Sequence, residues 1–272
     1  MKIDFNDDEF TSVYDGCPLW SSQFVYTILD KIDFTENAKI LDLGTGTGVP
    51  AIEIAERMGK GSLVYAIDLW DAALKRAELK ASQLGVGNVI FKKLSVLNMD
   101  FEDNFFDLAV SNNCLNNIAE YDAALKECRR VLKTGGRLIQ TFNLPESLQE
   151  FYDLFRELLS KKNLKSELKA LNKHIHEKRK STDFTANATE QAGFKIREAA
   201  EYSFRWCFLN GSSLLNYSFV KMAWLPNWQK IVDENQREEF FSELEERLNE
   251  YARENKGLNL KIPYSCIVAE KV

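Results

Sequence analysis

Residues 40–48 read Ile-Leu-Asp-Leu-Gly-Thr-Gly-Thr-Gly, an apolar run that opens directly into a turn with glycine at every second position. The run predicts a buried strand, and the helical periodicity over 49–58 predicts a helix packed back against it. Glycines let a backbone take positive φ and remove the Cβ atoms where a ligand comes close, while the first turn of the following helix offers unpaired N–H groups. Taken alone, such a turn can simply join strand to helix. Its meaning changes twenty residues after Gly48, where a second apolar run, 63–67, ends in Asp68. A carboxylate there can accept hydrogen bonds from both hydroxyls of a ribose, and the two features together predict a nucleoside-binding site.

The same rhythm continues along the chain. Strands are expected at 39–43, 63–67, 89–94, 106–111 and 137–142, with helices at 49–58, 70–84 and 122–132 between them. Short β-prone runs alternating with helical segments are the pattern of βαβ units in a parallel sheet. The helix at 122–132 is expected to stop on Lys133-Thr134-Gly135-Gly136, a cationic end followed by glycines able to take the left-handed conformation. After the fifth strand, residues 144–180 read as helix with no strand among them. A helix at 185–192, a strand at 195–208, a turn at Asn210-Gly211, helices at 212–222 and 235–255 and a strand at 260–270 complete the chain. The last two strands are expected to join the sheet as an antiparallel addition.

These readings give an α/β, doubly wound, mostly parallel sheet of seven strands with an antiparallel last strand and helical lid insertions. In domain terms, residues 1–38 form an N-terminal helical arm with a helix at 21–32. Residues 39–143, 181–209 and 258–272 form the core, and 144–180 and 210–257 the helical lid or substrate insertions. Ligands in such sheets bind at the carboxyl ends of the strands, and both insertions leave from that rim.

Composition narrows the function classes. The 272 residues carry 35 Lys and Arg against 41 Asp and Glu, a net charge of -6 with a pI near 5.3. That balance disfavours nucleic acid as a bulk partner, because polyanion binders carry a basic excess. Five cysteines, Cys17, Cys114, Cys128, Cys207 and Cys266, form no C-x-x-C pair and have no histidine at zinc-ligand spacing, so no metal is expected and reduced thiols are. The opening MKIDFNDDEF is acidic where a secretory signal is basic and then apolar, and no apolar run reaches the roughly 20 residues of a membrane span. The chain reads as cytoplasmic.

The choice of nucleoside turns on Val49. A dinucleotide fingerprint asks for Gly or Ala five residues after its first glycine, where the helix must pack closely beside a pyrophosphate, and Gly44 plus five is Val49. At this point four stretches taken together resemble the successive motifs of class I S-adenosylmethionine-dependent methyltransferases. They are KILDLGTGTGVP at 39–50, YAIDLW around Asp68, FFDLAVSNN at 105–113 and RVLKTGGRL at 130–138. Within that class the chain is most similar to the broad group that includes the quinone-ring C-methyltransferases. The resemblance covers about residues 10–142 and implies a Rossmann-like core that binds S-adenosylmethionine and releases S-adenosylhomocysteine.

Carried over position by position, it implies that the backbone of Gly44, Thr45 and Gly46 meets the methionine part, Asp68 the ribose and Leu69 the adenine. Ser95 and Val96 match the position after the third strand where the family reads the adenine edge. An Asp is usual where Ser95 stands, and a hydroxyl can serve in its place. Asn112 matches the position whose backbone meets the methionine amino group. Tyr14, in the stretch SVYDG, sits where an arm residue covers the cofactor, or else anchors the arm.

No catalytic base is identified. The only histidines, His174 and His176, lie in a lysine-rich stretch with Lys169, Lys173, Lys178, Arg179 and Lys180, which reads first as a solvated helix face. After the fourth strand stand Asn113, Cys114, Leu115, Asn116 and Asn117, and amides orient but do not take protons. The insertions hold Phe151, Tyr152, Phe155, Tyr217, Phe219, Trp224 and Trp228, read mainly as helical core. On the sixth strand Tyr202, Phe204, Trp206 and Phe208 share one face, read as packing against helices before a substrate wall.

The expected function is methyl transfer to a small-molecule acceptor, aromatic or apolar in character, by in-line displacement. Three alternatives stay open: an arsenite-type methyltransferase, which needs converging thiols; a protein or nucleic-acid methyltransferase, which needs an open groove; and a non-catalytic binding module that keeps only the nucleotide turn. A nicotinamide dehydrogenase is the weakest, on account of Val49. Oligomeric state and the attacking atom are not encoded in any motif.

Overall fold

The strand β1 (Lys39–Leu43) has Ile40, Leu41, Asp42 and Leu43 with no exposed surface. A strand buried this completely must be paired on both edges and covered on both faces. In the structure, a computed structural model that describes residues 8–17, 19–177 and 179–272, its parallel neighbours are β2 (Leu63–Asp68) and β4 (Phe106–Asn112). The first seven residues of the acidic opening stretch, and Lys178, lie outside the described residues. β3 (Val89–Lys93) pairs in parallel with β2, and β5 (Leu132–Asn143) with β4. β7 (Leu258–Lys271) runs antiparallel to β5 and β6 (Phe194–Phe208) is the edge, giving the order β3-β2-β1-β4-β5-β7-β6. This is the doubly wound sheet with an antiparallel last strand that the sequence predicts.

The chain divides into two compact units. The first comprises the described residues up to Asn143, with Lys180–Tyr202 and Tyr264–Val272. Here α2 (Leu19–Asp30) and α3 (Val49–Met58) cover one face of the sheet, with Ile28, Ile32, Ala51 and Ile54 buried against Ile40, Val64, Val110 and Ile139. Helices α4 (Asp71–Leu84), α5 (Tyr121–Val131) and α8 (Thr182–Gln191) complete this unit together with α1 (Asp8–Asp15). α1 is tied to α4, because the nearly buried Asp15 carboxylate meets Arg76 at 2.7 Å and also Lys80. Burial raises the Asp15 pKa, but hydrogen bonds from Lys80 and Arg76 outweigh it and leave the carboxyl below its ordinary value.

The second unit, Leu144–Arg179 with Ser203–Pro263, holds α6 (Gln149–Lys161), α7 (Lys165–Glu177), α9 (Gly211–Asn216), α10 (Leu225–Gln229) and α11 (Arg237–Glu254). Its centre is aromatic: Phe151 stacks on Trp228 at 4.2 Å between ring centroids, Phe155 meets Phe240, and the Trp228 indole N–H donates to the Tyr152 hydroxyl at 3.1 Å. On β6, Trp206 packs against Tyr217, Phe219 and Trp224, so part of the aromatic face faces helical residues as the simpler sequence reading has it.

Four local departures have physical causes. A short helix, α1, precedes the expected one, held by Phe10 and Tyr14 packing on Trp70. α5 ends at Val131, one residue before β5 begins, and the glycines that were to stop it instead form a bulge, since Phe106 pairs with Leu132 but Leu108 with Arg137. The helical stretch 144–180 is two helices, broken at Asn163, whose φ of 57° is left-handed and suits asparagine. The stretch 212–222 is α9 followed by a wide turn at Val220–Trp224, with Tyr217 extended between them. Among the described residues no helix is long and apolar enough to cross a membrane.

Candidate functional site

β1 and β4 are adjacent although two strands separate them in sequence, so chain connections leave the sheet in opposite directions at their carboxyl ends and open a crevice there. The Gly-rich turn sits at this point. Gly44 has φ of 69° and Gly48 of 86°, values a side chain would strain. Close approach reinforces the requirement: a Cβ on Gly44 would lie 2.3 Å from Cys114 Sγ, and one on Gly48 would lie 2.6 Å from the Cβ of Ala77 on α4. The close helix contact that a dinucleotide fold makes further along is thus made here by Gly48, and Val49 packs into the core instead. A Cβ on Gly46, by contrast, would meet nothing within 4 Å, so the middle of the turn faces open space.

The turn is held by β2. The Ile67 carbonyl accepts from the N–H groups of Gly44 and Thr45 at 2.9 and 3.0 Å. Asp68 continues the tie: Oδ2 accepts from Gly46 N–H at 2.8 Å and Oδ1 from Trp70 N–H at 2.9 Å. Each oxygen has a second lone pair, so the carboxylate can still take two hydroxyls. Leu69 beside it is largely exposed. β3 ends at the same place, because Leu94 N–H donates to the Asp68 carbonyl at 3.0 Å. Ser95 follows, with its hydroxyl accepting from Leu97 N–H at 3.2 Å, and Val96 is buried. Tyr14 packs edge-on against Trp70 at 5.1 Å, and burial, then the charge of Asp68, push its phenol above the ordinary value. Asn112 closes β4, with Oδ1 accepting from the Thr141 hydroxyl at 3.2 Å. The structure therefore gathers Gly44, Thr45, Gly46, Asp68, Leu69, Ser95 and Tyr14 around the ends of β1, β2 and β3, while Val96 turns inward and Asn112 lies across at β4 and β5.

Asp42 was not singled out in the sequence, yet it is fully buried beneath the turn. Neither of its oxygens, nor the Thr45 hydroxyl, has a hydrogen-bond partner in good geometry among the described residues. Burial raises its pKa to about 7; the nearby Thr45 hydroxyl pulls it down, the Asp68 charge raises it, and the Ala51 N–H lowers it, leaving burial dominant. A carboxyl within an apolar strand, immediately before the glycines, is the signal that could have found it. Asp68 at the turn and Asp42 sealed beneath it put acidic groups on both sides of the glycines, which suits a cationic ligand and disfavours a pyrophosphate. The residues present therefore fit a sulfonium nucleoside that also carries an ammonium group.

Bases are scarce. Cys114, beside Gly44, is pushed up to about 12 by burial first and then by the charges of Asp68 and Asp42, so it is a thiol at neutral pH. His174 lies beside the Tyr152 ring and His176 is exposed, both on α7 of the helical unit. Among the described residues no group of three His, Cys, Asp or Glu is placed to hold a metal ion, and nothing favours the arsenite-type alternative.

Residues 34–203 match the protein family described as "Methyltransferase domain". A ubiquinone/menaquinone biosynthesis C-methyltransferase, UbiE, of Psychromonas ingrahamii is 38% identical over 131 residues, 47% of this chain and 52% of that protein. A demethylmenaquinone methyltransferase of Geobacillus kaustophilus is 32% identical over 112 residues, 41% of this chain and 48% of that protein. The chain thus spans about half the length of the relatives it matches. Among solved structures, the YcgJ protein of Bacillus subtilis superposes with a TM-score of 0.61 over 92% of this chain and 98% of its own, at 14% identity, a likeness of fold.

Proposed function

Because the chain belongs to the methyltransferase-domain family, we propose that it binds S-adenosylmethionine at the turn over residues 44–48 and directs its methyl group onto a small ring-bearing acceptor. The observation that carries this reading is the glycine turn itself, whose middle faces open space while Asp68 holds its backbone on one side and the buried Asp42 carboxyl lies beneath it. Bound there, the cofactor would supply a methyl group already activated on a positively charged sulfur. Asp68 holds the ribose with its free lone pairs, Thr45 and Gly46 border the methionine part, and Tyr14 covers the site from the arm. With Cys114 and Tyr14 both protonated at neutral pH, these residues align and desolvate the reactants but take no proton from the acceptor. Alignment alone is worth up to roughly 7–11 kcal/mol.

Support for a ring acceptor comes from the relatives, named for ubiquinone and menaquinone biosynthesis and for demethylmenaquinone. The assay is transfer of label from methyl-tritiated S-adenosylmethionine to demethylmenaquinone, offered in its oxidised and its reduced form. Label in the extracted acceptor, lost in Asp68→Ala, is the expected result. No transfer to either form would remove this acceptor class.

The pH dependence of binding has a definite sign. Folded, Asp42 keeps its proton up to about pH 7; unfolded, it loses it near an ordinary value of about 3.9. The folded chain therefore binds one more proton between those values, so this group makes stability fall as pH rises from about 4 to about 7 and then level off. A cationic ligand favours the ionised form, so S-adenosylmethionine affinity should rise as pH increases through 7. Asp42→Asn should flatten that rise and weaken binding above it, as read by calorimetry from pH 6 to 8.5; an unchanged profile would clear Asp42 of the role.

A further inference from the structure

The arm that carries Tyr14 is short. α1 has 8 residues, and a helix below about 12–15 residues does not hold in water by itself, so its place depends on what anchors it. Two adjacent rows of the helix supply the anchors. Phe10 and Tyr14, one turn apart, both pack on Trp70, with ring centroids 5.7 and 5.1 Å away. Thr11 and Asp15 form the next row and are almost buried, Thr11 at 2% exposed and the Asp15 side chain at 7%. Asp15 Oδ2 accepts from Arg76 Nε at 2.7 Å and Oδ1 accepts from Lys80, two cations one turn apart on α4.

The same carboxylate reaches the cofactor turn. The Thr47 hydroxyl lies close enough to help hold its pKa down, behind the burial that raises it and the stronger hydrogen bonds from Lys80 and Arg76. Thr47 is itself buried, and it stands between Gly46, whose N–H Asp68 holds, and Gly48, which lies against Ala77 of α4. α1, the turn and α4 therefore meet around one side chain. An apolar residue in place of Asp15 would anchor the helix at least as cheaply, because a carboxylate loses hydration on burial. Paired charges add a fixed orientation: with Asp15 turned to Arg76 and Lys80, its neighbour Tyr14 is turned to Trp70 and feels the charge of Asp68.

We propose that Asp15 is a latch that holds α1 against the cofactor turn and so sets how fast S-adenosylmethionine enters and leaves, an inference that rests on the methyltransferase reading above. A ribose seated on Asp68 meets Tyr14 on the arm, so the nucleoside passes when α1 swings off Trp70. Aromatic contacts alone leave so short a helix easily displaced, and the paired carboxylate makes release wait for a nearly buried ion pair to break. Asp15 touches neither cofactor nor acceptor; it is a positioning residue that acts through Tyr14 and Thr47. Closure and binding are linked, so a ligand held by the closed arm must hold the arm closed to the same extent.

The test uses the full chain and methyl-tritiated S-adenosylmethionine with no acceptor added. Release is followed by chasing with unlabelled ligand, and hydrogen exchange of the amides of residues 9–16 is followed with and without ligand. Asp15→Asn keeps the shape and removes the charge; it should release the ligand at least about tenfold faster, the loss of a charge-assisted hydrogen bond. Its unfolding temperature should stay near the native one, because α1 detaches without opening the core. Lys80→Gln should speed release as well, and the double variant should release no faster than Asp15→Asn, since both break one latch. In the native chain bound ligand should slow exchange over residues 9–16 by about tenfold. Native release by Asp15→Asn, exchange that ligand does not slow, or effects that multiply in the double variant would each overturn the latch. So would a lowered unfolding temperature with unchanged release, the result of a merely structural anchor. Failure of S-adenosylmethionine to bind the native chain would instead overturn the methyltransferase reading beneath it.

Discussion

Replacing Asp68 with alanine should weaken S-adenosylhomocysteine binding by at least about a hundredfold while leaving the protein folded. Two hydrogen bonds from ribose hydroxyls to a carboxylate are worth about 1.5–3 kcal/mol each, and a loss of some 3 kcal/mol is more than a hundredfold in affinity. The same substitution releases Gly46 N–H and Trp70 N–H from the carboxylate, so the turn loses its second tie to β2 as well. The tie through the Ile67 carbonyl remains, which keeps the fold intact. Asp68→Asn, which retains one acceptor oxygen, should fall between the two. Titration with matched thermal unfolding checks this; full-strength binding by the alanine variant would take Asp68 out of the site.

Gly48→Ala should be the most damaging single substitution in the turn for stability. The new Cβ would stand 2.6 Å from the Ala77 Cβ, which is the first atom of a side chain fixed to a helix and cannot swing aside. Positive φ adds about 1–2 kcal/mol and overpacking about 1–3 kcal/mol, so a loss near 3 kcal/mol is expected, on the order of 10 °C in unfolding temperature. Ala77→Gly in the same chain should recover the packing part and leave the strain. Gly46→Ala, which meets no neighbouring atom but has φ of 54°, should carry only the strain of positive φ, about 1–2 kcal/mol, and so lose less stability than Gly48→Ala while binding the cofactor poorly. The contrast separates a glycine needed by the fold from one needed by the ligand.

Much of this architecture was legible because it rests on periodicity. Ile40, Leu41 and Leu43 announce a strand buried on both faces, and the alternation that follows allows few arrangements other than a doubly wound sheet. The second unit was less legible for a local reason: the break at Asn163 depends on one residue's tolerance of left-handed backbone, and the extended Tyr217 between α9 and the wide turn follows from packing on Trp206. Lys133-Thr134-Gly135-Gly136 was placed correctly as an interruption but read as a helix end, because both a helix stop and a strand bulge use glycine.

The site divides in the same way. Gly44, Gly46 and Asp68 stand out through spacing. Asp42 was hidden by its setting, since an acidic residue inside an apolar run looks like an ordinary interruption until its burial is seen.

The most direct test of the central claim is calorimetric titration of the native chain with S-adenosylmethionine, S-adenosylhomocysteine and NAD. One-to-one binding of the first two and none of the third is the result expected of a glycine turn lying between Asp42 and Asp68. Binding of NAD alone, or of none of the three, would contradict it.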